Sequence, residues 1–253
     1  MITKEDLIRI AKSKGILNRG YAEKDYLLDL LLYITSSETK DELIFKGGTC
    51  IYKFYGTGRF SEDLDFSAVK KIDTNILLQK IIQRLKDWGI ESTLQSKKES
   101  HNATLVSLKA KGPLYSGEPR TESKIRIDIN HASEVLMPPS IKRYLSAYPD
   151  IPQFSVLAMD EKEILAEKIR AVITRDMARD VYDLWLLIKM GINIDFKLIE
   201  HKLSYYSMQF DNKLLRKRLE AKKGLWKKEL TPLVFGDIPD FSEAAAGIMK
   251  SLK

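Results

Sequence analysis

Residues 45–66 read FKGGTCIYKFYGTGRFSEDLDF, and this stretch carries the most specific pattern in the chain. It follows a short apolar segment, turns at a pair of glycines, and ends in a predicted strand that carries Asp63 and Asp65. Side chains two positions apart on a strand point to the same face. The two carboxylates can therefore be directed at a single ligand.

Composition indicates an ordinary globular protein. The chain has 253 residues, of which 44% are hydrophobic and 30% charged, enough for one large domain or two small ones. Its apolar runs are too short to span a bilayer, and residues 1–15 lack the apolar core of a signal peptide. Cys50 is the single cysteine, which excludes an intrachain disulfide and a thiolate metal cluster. These features predict a cytoplasmic protein without membrane association.

The charge balance leaves two interpretations open. With 42 basic and 35 acidic residues, the net charge is +7. This favours a polyanionic partner or, equally well, a solvated lysine-rich surface. The three histidines, His101, His131 and His201, are far apart in sequence, which argues against a zinc site or a histidine-dependent triad.

Hydrophobic periodicity predicts an α+β fold. It indicates helices over residues 4–14, 22–35, 49–55 and 73–88, and strands over residues 43–46, 63–67, 90–96, 102–109, 123–130 and 154–158. The proline-containing stretch 131–153 reads as an irregular connector. Helices follow at 160–174, 176–190, 195–206, 209–222 and 240–252. We therefore expect a mixed β-sheet domain with a helical lead-in over residues 1–155, and a helical C-terminal domain over residues 156–253.

Asp128 is the best candidate for a third carboxylate near Asp63 and Asp65. It lies in the segment KIRIDIN, on the face opposite to the neighbouring isoleucines, and would join the other two if its strand paired beside residues 63–67. Magnesium prefers such oxygen ligands, and metal-assisted nucleotidyl transfer uses them. We expect Asp63 and Asp65 to hold metal, and Asp128 to hold a second metal or act as a base. Alternatively, the aspartates face solvent on an edge strand, although aspartate is disfavoured in strands.

The turn Lys46-Gly47-Gly48-Thr49 joins the first strand to a helix. Glycine allows close approach of the backbone to a ligand, and a helix N-terminus presents N–H groups to an anion, so the turn is a candidate seat for nucleotide phosphates. It matches neither a Walker loop nor a G-x-G-x-x-G fingerprint. The alternative interpretation is a tight turn without a ligand.

A second dense set of polar residues lies in the helical half: Lys168, Arg175, Arg179, Asp180 and Asp183. One interpretation is a set of ion pairs on a helix surface, each worth a few tenths of a kcal/mol. The other is that the lysine and the arginines hold triphosphate oxygens, as a point charge and as bidentate forks. The sequence leaves the two interpretations open.

The motifs KGGT, R-x-S-x-DLDF, a strand aspartate, EK-x-x-A and R-x-x-x-RD-x-YDL follow one another along the chain. As a set, over roughly residues 25–190, they resemble the AbiEii/AbiGii-type, MenT-like nucleotidyltransferase toxins of the DNA polymerase β-like superfamily. The resemblance implies a nucleotidyltransferase core flanked by helices. It also implies an NTP-dependent enzyme that belongs to a toxin–antitoxin or phage-defence (abortive infection) system.

The resemblance also implies roles for individual residues. The expected catalytic residues are Asp63, Asp65, Asp128, Lys168 and Asp180. The expected nucleotide-binding residues are Lys46, Gly47, Gly48, Thr49, Arg59, Ser61, Arg175 and Arg179. The expected cofactor is Mg²⁺ or Mn²⁺, bound by Asp63, Asp65 and Asp128.

The function expected from the resemblance is transfer of an NMP from an NTP to an RNA acceptor, with the 3′ end of tRNA as the leading candidate. A net positive charge fits such an acceptor, because phosphate neutralisation dominates nucleic-acid binding. The alternatives are transfer to a protein or small-molecule hydroxyl, and a nucleotide- or RNA-binding module without turnover. A cognate antitoxin would be a separate chain. No motif specifies the nucleobase.

Overall fold

The computed structural model describes residues 1–56, 58–132 and 134–252. The helices are α1 (Lys4–Ser13), α2 (Arg19–Thr39), α3 (Gly47–Tyr55), α4 (Thr74–Asp87), α5 (Glu161–Thr174), α6 (Ala178–Lys189), α7 (Phe196–Ser204), α8 (Asn212–Glu220), α9 (Trp226–Leu230) and α10 (Phe241–Ser251). The strands are β1 (Leu43–Lys46), β2 (Asp63–Ala68), β3 (Ser92–Glu99), β4 (Ala103–Ala110), β5 (Ser123–Asn130), β6 (Ser140–Tyr144) and β7 (Phe154–Ala158). Two 3₁₀ turns cover Pro119–Thr121 and Lys223–Leu225.

The chain divides into two compact units. The first contains the whole sheet and consists of Met1–Phe54, Ser61–Val135 and Pro139–Ala158. The second is helical and consists of Tyr55–Phe60, Leu136–Pro138 and Met159–Lys253. The sequence-based boundary at residues 155 and 156 remains a prediction, and Lys253, which ends the predicted second domain, lies outside the described residues.

The sheet is mixed, which confirms the predicted α+β class. Its seven strands follow the order β3-β4-β5-β2-β1-β7-β6. The pairs β2–β5 and β1–β7 are parallel, and the other neighbouring pairs are antiparallel. Because β2 lies directly between β1 and β5, the glycine turn and both aspartate-bearing strands meet in the middle of the sheet.

One face of the sheet forms the core of the first unit. Leu64 and Phe66 of β2 are buried together with Ile127 and Ile129 of β5, in register with each other. Helix α2 contacts β2, β5 and β7, and it is buried on nearly all sides. The alternation of these apolar residues fixes which face of the central strands remains for polar side chains.

The prediction of an irregular connector over residues 131–153 is wrong in one part. Strand β6 lies within it and pairs with β7 in antiparallel register, from Ser140 opposite Ala158 to Tyr144 opposite Phe154. The prolines precede and follow β6 instead of interrupting it, which is where an edge strand tolerates them. Ile141 is 75% exposed, so the strand lacks the apolar alternation that would have identified it. Helix α9 was also missed, because five residues are too few to show a helical period.

A buried ionic group, which we call the α2 cluster, lies in the first unit and comprises Asp25, Asp29 and Lys53. The Lys53 Nζ lies 2.6 Å from an Asp25 oxygen and 2.5 Å from an Asp29 oxygen. The side chains of both aspartates are fully buried, and that of Lys53 is 2% exposed. Further donors to the two carboxylates are Lys14, Tyr52, Tyr144, Ser146 and Tyr148. These ion pairs connect α3 to α2. Helix α3 begins at the glycine pair.

None of the helices in residues 1–56, 58–132 and 134–252 has both the length and the hydropathy that crossing a bilayer requires.

Candidate active site

The three predicted carboxylates share one face of the sheet. In the parallel pairing of β2 with β5, Asp65 lies opposite Asp128, and Asp63 lies opposite Arg126. Neighbouring strands are about 5 Å apart, and opposed residues face the same side. All three aspartates are partly accessible, whereas the apolar residues between them are buried on the other face. The strand pairing required for Asp128 to join Asp63 and Asp65 is therefore present.

Gly47 lies directly against the carboxylate of Asp65. Its φ of +73° is a left-handed conformation that L side chains rarely adopt, and it begins α3 directly after β1. A Cβ at this position would lie 2.2 Å from the Asp65 Oδ2, far inside any permitted contact. A side chain at residue 47 would therefore displace the carboxylate or the turn. The glycine is required for the Asp65 carboxylate to occupy its position beside the backbone.

The two residues that flank the glycines also contact or oppose β2. The Thr49 hydroxyl donates to the backbone carbonyl of Asp63 at 2.5 Å, and Thr49 is fully buried. Lys46 is the last residue of β1, is buried, and lies opposite Asp65 in the antiparallel pairing. Thr49 thus fixes the distance between the turn and the aspartate strand. The predicted roles of both residues in nucleotide binding remain predictions.

The carboxylates fit a divalent metal in their chemistry. Among residues 1–56, 58–132 and 134–252, no three His, Cys, Asp or Glu side chains are placed as a ready metal-binding group. Nevertheless, Asp63, Asp65 and Asp128 provide only hard oxygen donors, on adjacent positions of one accessible sheet face. Mg²⁺ typically takes one or two carboxylates and completes its shell with water and substrate phosphates. The residues present therefore fit a metal whose remaining ligands come from the substrate.

The second unit holds a buried ionic group, which we call the α6 cluster: Arg59, Lys168, Asp180 and Asp183. The Lys168 Nζ lies 2.9 Å from an Asp180 oxygen and 2.7 Å from an Asp183 oxygen. Arg59 donates to both oxygens of Asp183, at 2.6 Å from Nε and 2.9 Å from Nη2. All four residues are buried. The interpretation of this segment as surface ion pairs is therefore wrong for Lys168, Asp180 and Asp183, whose ion pairs are buried.

Helix geometry explains how α6 contributes two of these acids. Asp180 and Asp183 are three residues apart on α6, so they lie on the same side of that helix. Lys168 comes from α5, which packs against α6 within the second unit. Asp183 bridges the lysine and the arginine, and it was absent from the predicted site. Its spacing from Asp180 was the signal that could have identified it.

The ion pairs determine the protonation states in the α6 cluster. Burial lowers the pKa of Lys168, but the carboxylates of Asp180 and Asp183 outweigh burial, so the pKa of the ammonium is raised above its ordinary value. Burial raises the pKa of Asp180, but the charge and hydrogen bond of Lys168, together with the charges of Arg175 and Arg179, outweigh burial and lower it overall. Lys168 is therefore a cation and Asp180 an anion at neutral pH. Lys168 is suited to holding negative charge and not to acting as a base.

The other predicted nucleotide-binding residues are divided between the units. Ser61 lies in the first unit, just before β2, and is partly exposed. Arg175 caps the C-terminus of α5 and is exposed, and Arg179 lies in the first turn of α6 and is partly exposed. The guanidinium of Arg59 is held by Asp183 and by the Phe60 carbonyl. Their contacts with a nucleotide remain predictions.

A mixed sheet with paired aspartates beside a glycine turn, in a chain that continues into helices, defines the nucleotidyltransferase class. A family model described as "Nucleotidyl transferase AbiEii toxin, Type IV TA system" matches residues 29–247, and the chain belongs to this family. The protein is therefore a nucleotidyltransferase of a toxin family, as the sequence motifs indicated. The search among curated proteins finds no significant match.

Two solved structures show the same fold. MenT4, a nucleotidyltransferase toxin from Mycobacterium tuberculosis H37Rv, is 21% identical with a TM-score of 0.68, over 99% of this chain and 88% of that chain. JHP933 from Helicobacter pylori is 20% identical with a TM-score of 0.59, over 91% of this chain and 89% of that chain. At this level of identity, the two matches establish the fold.

Proposed function

We propose that this nucleotidyltransferase moves an NMP from an NTP to an RNA acceptor, with the 3′ end of tRNA as the leading candidate, in a metal-dependent reaction. The observation that supports the proposal best is the register of β2 with β5. It sets Asp65 beside Asp128, with Asp63 on the same face and the glycine turn against Asp65. Nucleotidyl transfer needs a cation that offsets the charge of the phosphates and a base for the attacking hydroxyl, and the carboxylates of this face could hold the cation and act as the base.

The proposed roles of the carboxylates follow from their positions. Asp63 and Asp65 would hold Mg²⁺ or Mn²⁺, with Asp128 as a further ligand or as the base. A bound divalent cation offsets the negative charge of the substrate phosphates in the transition state. In the second role, Asp128 would accept the proton of the attacking hydroxyl while the hydroxyl oxygen bonds to the α-phosphorus of the NTP and pyrophosphate leaves, which requires a carboxylate next to the reacting oxygen. Gly47 keeps the Asp65 carboxylate in place by leaving the space beside it unfilled.

Lys168 is proposed to hold a phosphate oxygen of the NTP. A lysine ammonium has three donor hydrogens, and Asp180 and Asp183 accept two of them in the described part of the chain. The side chain of Lys168 is 11% exposed, so the cluster is not closed to a ligand. Asp180 positions the ammonium, and Arg175 and Arg179 are further candidate phosphate contacts because they retain exposed surface.

Label transfer tests the reaction and its acceptor. The protein is incubated with Mg²⁺, each α-³²P-labelled NTP in turn, and a tRNA pool. We expect labelled RNA from the wild type, and a loss of at least about 100-fold for Asp63→Asn and Asp65→Asn, because each removes an anionic ligand. Asp41→Asn is the matched control, since Asp41 is an exposed acid paired with Lys70. EDTA should abolish transfer, and added Mg²⁺ or Mn²⁺ should restore it.

The same assay separates the alternatives. Transfer that survives Asp63→Asn would contradict the assignment of the carboxylates. Labelled protein, or a labelled small molecule, in a lysate would replace RNA as the acceptor while leaving nucleotidyl transfer intact. Membership in a toxin family also supports a cognate antitoxin as a partner. Co-expression with the product of the adjacent open reading frame should relieve growth arrest caused by the wild type.

A further inference from the structure

We propose that the single-stranded end of the RNA acceptor lies along the open face of the sheet beyond the three aspartates. We call this surface the basic sheet face and define it by Lys98, Leu105, Lys124 and Arg126. The inference rests on the proposed function, because it identifies where the acceptor of that reaction binds. All four residues belong to the first unit.

The strand register places these side chains on the same face as the aspartates. Lys98 of β3 lies opposite Leu105 of β4, and Leu105 lies opposite Asp128 of β5. Asp128 in turn lies opposite Asp65. One row of opposed residues therefore runs from the edge of the sheet to the candidate metal ligands. Arg126 begins a second row, because it lies opposite Asp63 with an Nη1-to-Oδ2 distance of 3.8 Å.

The basic sheet face is accessible and carries excess positive charge. Lys98 and Lys124 are exposed, the side chain of Arg126 is 63% exposed, and Leu105 is 45% exposed. A further lysine on this face, Lys109, pairs with Glu122 at 3.2 Å, and the carboxylate of Glu122 neutralises its charge. The opposite face of β4 and β5 is buried and apolar, with Val106 and Leu108 on β4 and Ile125 and Ile127 on β5. Lys98 and Lys124 are therefore accessible to a polyanion. Arg126 contacts Asp63 at 3.8 Å but keeps most of its side chain exposed.

The spacing and composition of the surface favour a nucleic-acid strand. Lys124 and Arg126 are two residues apart on β5, so their side chains emerge about 7 Å apart on one face. Single strands bind to basic tracks by their backbone, and Leu105, which lies between the cations, offers apolar surface to a base. Because Arg126 contacts Asp63, a strand that follows the cations ends at the carboxylates. The reacting hydroxyl of an RNA acceptor belongs at that end.

A binding experiment tests the surface without requiring catalysis. A fluorescein-labelled single-stranded 12-nucleotide RNA is titrated with the full chain, without NTP or added metal, at several KCl concentrations. The test variant is Lys98→Glu/Lys124→Glu. The control is Lys71→Glu/Lys86→Glu, which reverses two exposed lysines outside this face. Both change the net charge from +7 to +3, since each reversal subtracts two.

We expect the test variant to bind RNA about tenfold more weakly than the control. The slope of log Kobs against log salt should fall by about 1.4, from roughly 0.7 for each of two lost phosphate contacts. Lys98→Arg/Lys124→Arg should bind like the wild type, and the thermal midpoint of every variant shows whether it is folded. Equal weakening in test and control variants would mean a net-charge effect and would overturn the proposal. Equal competition by polyglutamate of the same charge would also overturn it, by indicating an acidic protein partner.

Different experimental results would contradict this surface and the proposed reaction. If RNA is labelled in the transfer assay but the test and control variants bind RNA equally, the function stands and the surface is wrong. If the test variant alone loses RNA binding but no RNA is labelled, the surface stands and the reaction is wrong.

Discussion

The α2 cluster and the α6 cluster are both buried, charge-balanced groups built on helices, yet they differ in what surrounds them. In the α2 cluster, Lys53 is 2% exposed, and tyrosine and serine hydroxyls surround the two aspartates. In the α6 cluster, the side chain of Lys168 is 11% exposed, and Arg59 holds Asp183. In the first, the central ammonium of Lys53 is closed off from solvent, and the more exposed Lys14, at 23%, contacts Asp25 from the edge of the cluster. The second keeps a partly accessible cation at a position that the family motifs include.

The difference shows that burial of charge does not by itself identify a functional site. Buried ion pairs contribute little net stability relative to apolar packing, but loss of one partner is costly because the other charge remains buried. Both clusters should therefore respond to truncation of their lysine. Only Lys168 should also respond in nucleotide handling, since its side chain is 11% exposed and belongs to the family motifs, whereas that of Lys53 is 2% exposed.

The largest expected effect is on stability, from Lys53→Met. Removing this ammonium leaves Asp25 and Asp29 with much less positive charge in a closed interior, and we expect a loss of about 3–5 kcal/mol in the free energy of unfolding. Urea denaturation followed by circular dichroism measures it. Lys70→Met is the control, because Lys70 forms an exposed pair with Asp41, and such pairs contribute about 0–1 kcal/mol. A loss below 1 kcal/mol for Lys53→Met would contradict the anchoring role of the α2 cluster.

Lys168→Met should be less destabilising but should abolish nucleotide handling. Asp183 keeps its bidentate pair with Arg59, so chiefly Asp180 loses its partner, and we expect a cost of about 2 kcal/mol. Transfer should fall by about 100-fold or more, because the cation proposed to hold a phosphate oxygen is gone. The assay is run at a temperature where the variant is folded. Full activity in a folded Lys168→Met protein would show that the α6 cluster, like the α2 cluster, contributes to stability and not to nucleotide binding.

Arg59→Lys tests whether the arginine positions its neighbours or binds the nucleotide. A lysine keeps the charge but loses the two-pronged contact with Asp183, which should cost about 1.5 kcal/mol, the value of one charged hydrogen bond. If Arg59 acts through Asp183 on Lys168, the KM for NTP should rise in Arg59→Lys and in Asp183→Asn alike. A rise confined to Arg59→Lys would show direct contact of Arg59 with the nucleotide.

The smallest expected effect is a difference in acid sensitivity. The pKa of Asp180 is lowered in the folded protein, so its ion pair stabilises the fold above the unfolded pKa of about 3.9. That stabilisation is lost as the pH falls through the lowered folded pKa. The urea midpoint of the wild type should therefore decrease between pH 5 and pH 2, and Asp180→Asn should decrease less steeply over the same range. Parallel pH profiles for the two proteins would contradict the assignment of charge to Asp180.

Much of the fold was predictable because its signals are local. The alternation of β2 and β5 identified both strands, and the glycines marked the change from β1 to α3, although α3 begins at Gly47 and not at residue 49. Strand β6 was not predictable in this way, because it is an edge strand with an exposed Ile141, and its hydrogen bonds come from β7. A strand that forms by pairing with a neighbour, without a buried face of its own, shows little apolar alternation in its sequence.

The candidate site also has features that the local sequence predicts and features that only tertiary contacts determine. The sequence alone determined that Asp63 and Asp65 share a face, because a strand has a period of two residues, and it grouped the motifs that identify the family. Tertiary structure decided that Asp128 lies beside Asp65, since strand order and register depend on contacts between distant segments. It also decided that Arg59 holds Asp183 and that Asp25 and Asp29 surround Lys53. Burial and ion pairing depend on which surfaces meet on folding, and no local pattern of charges specifies them.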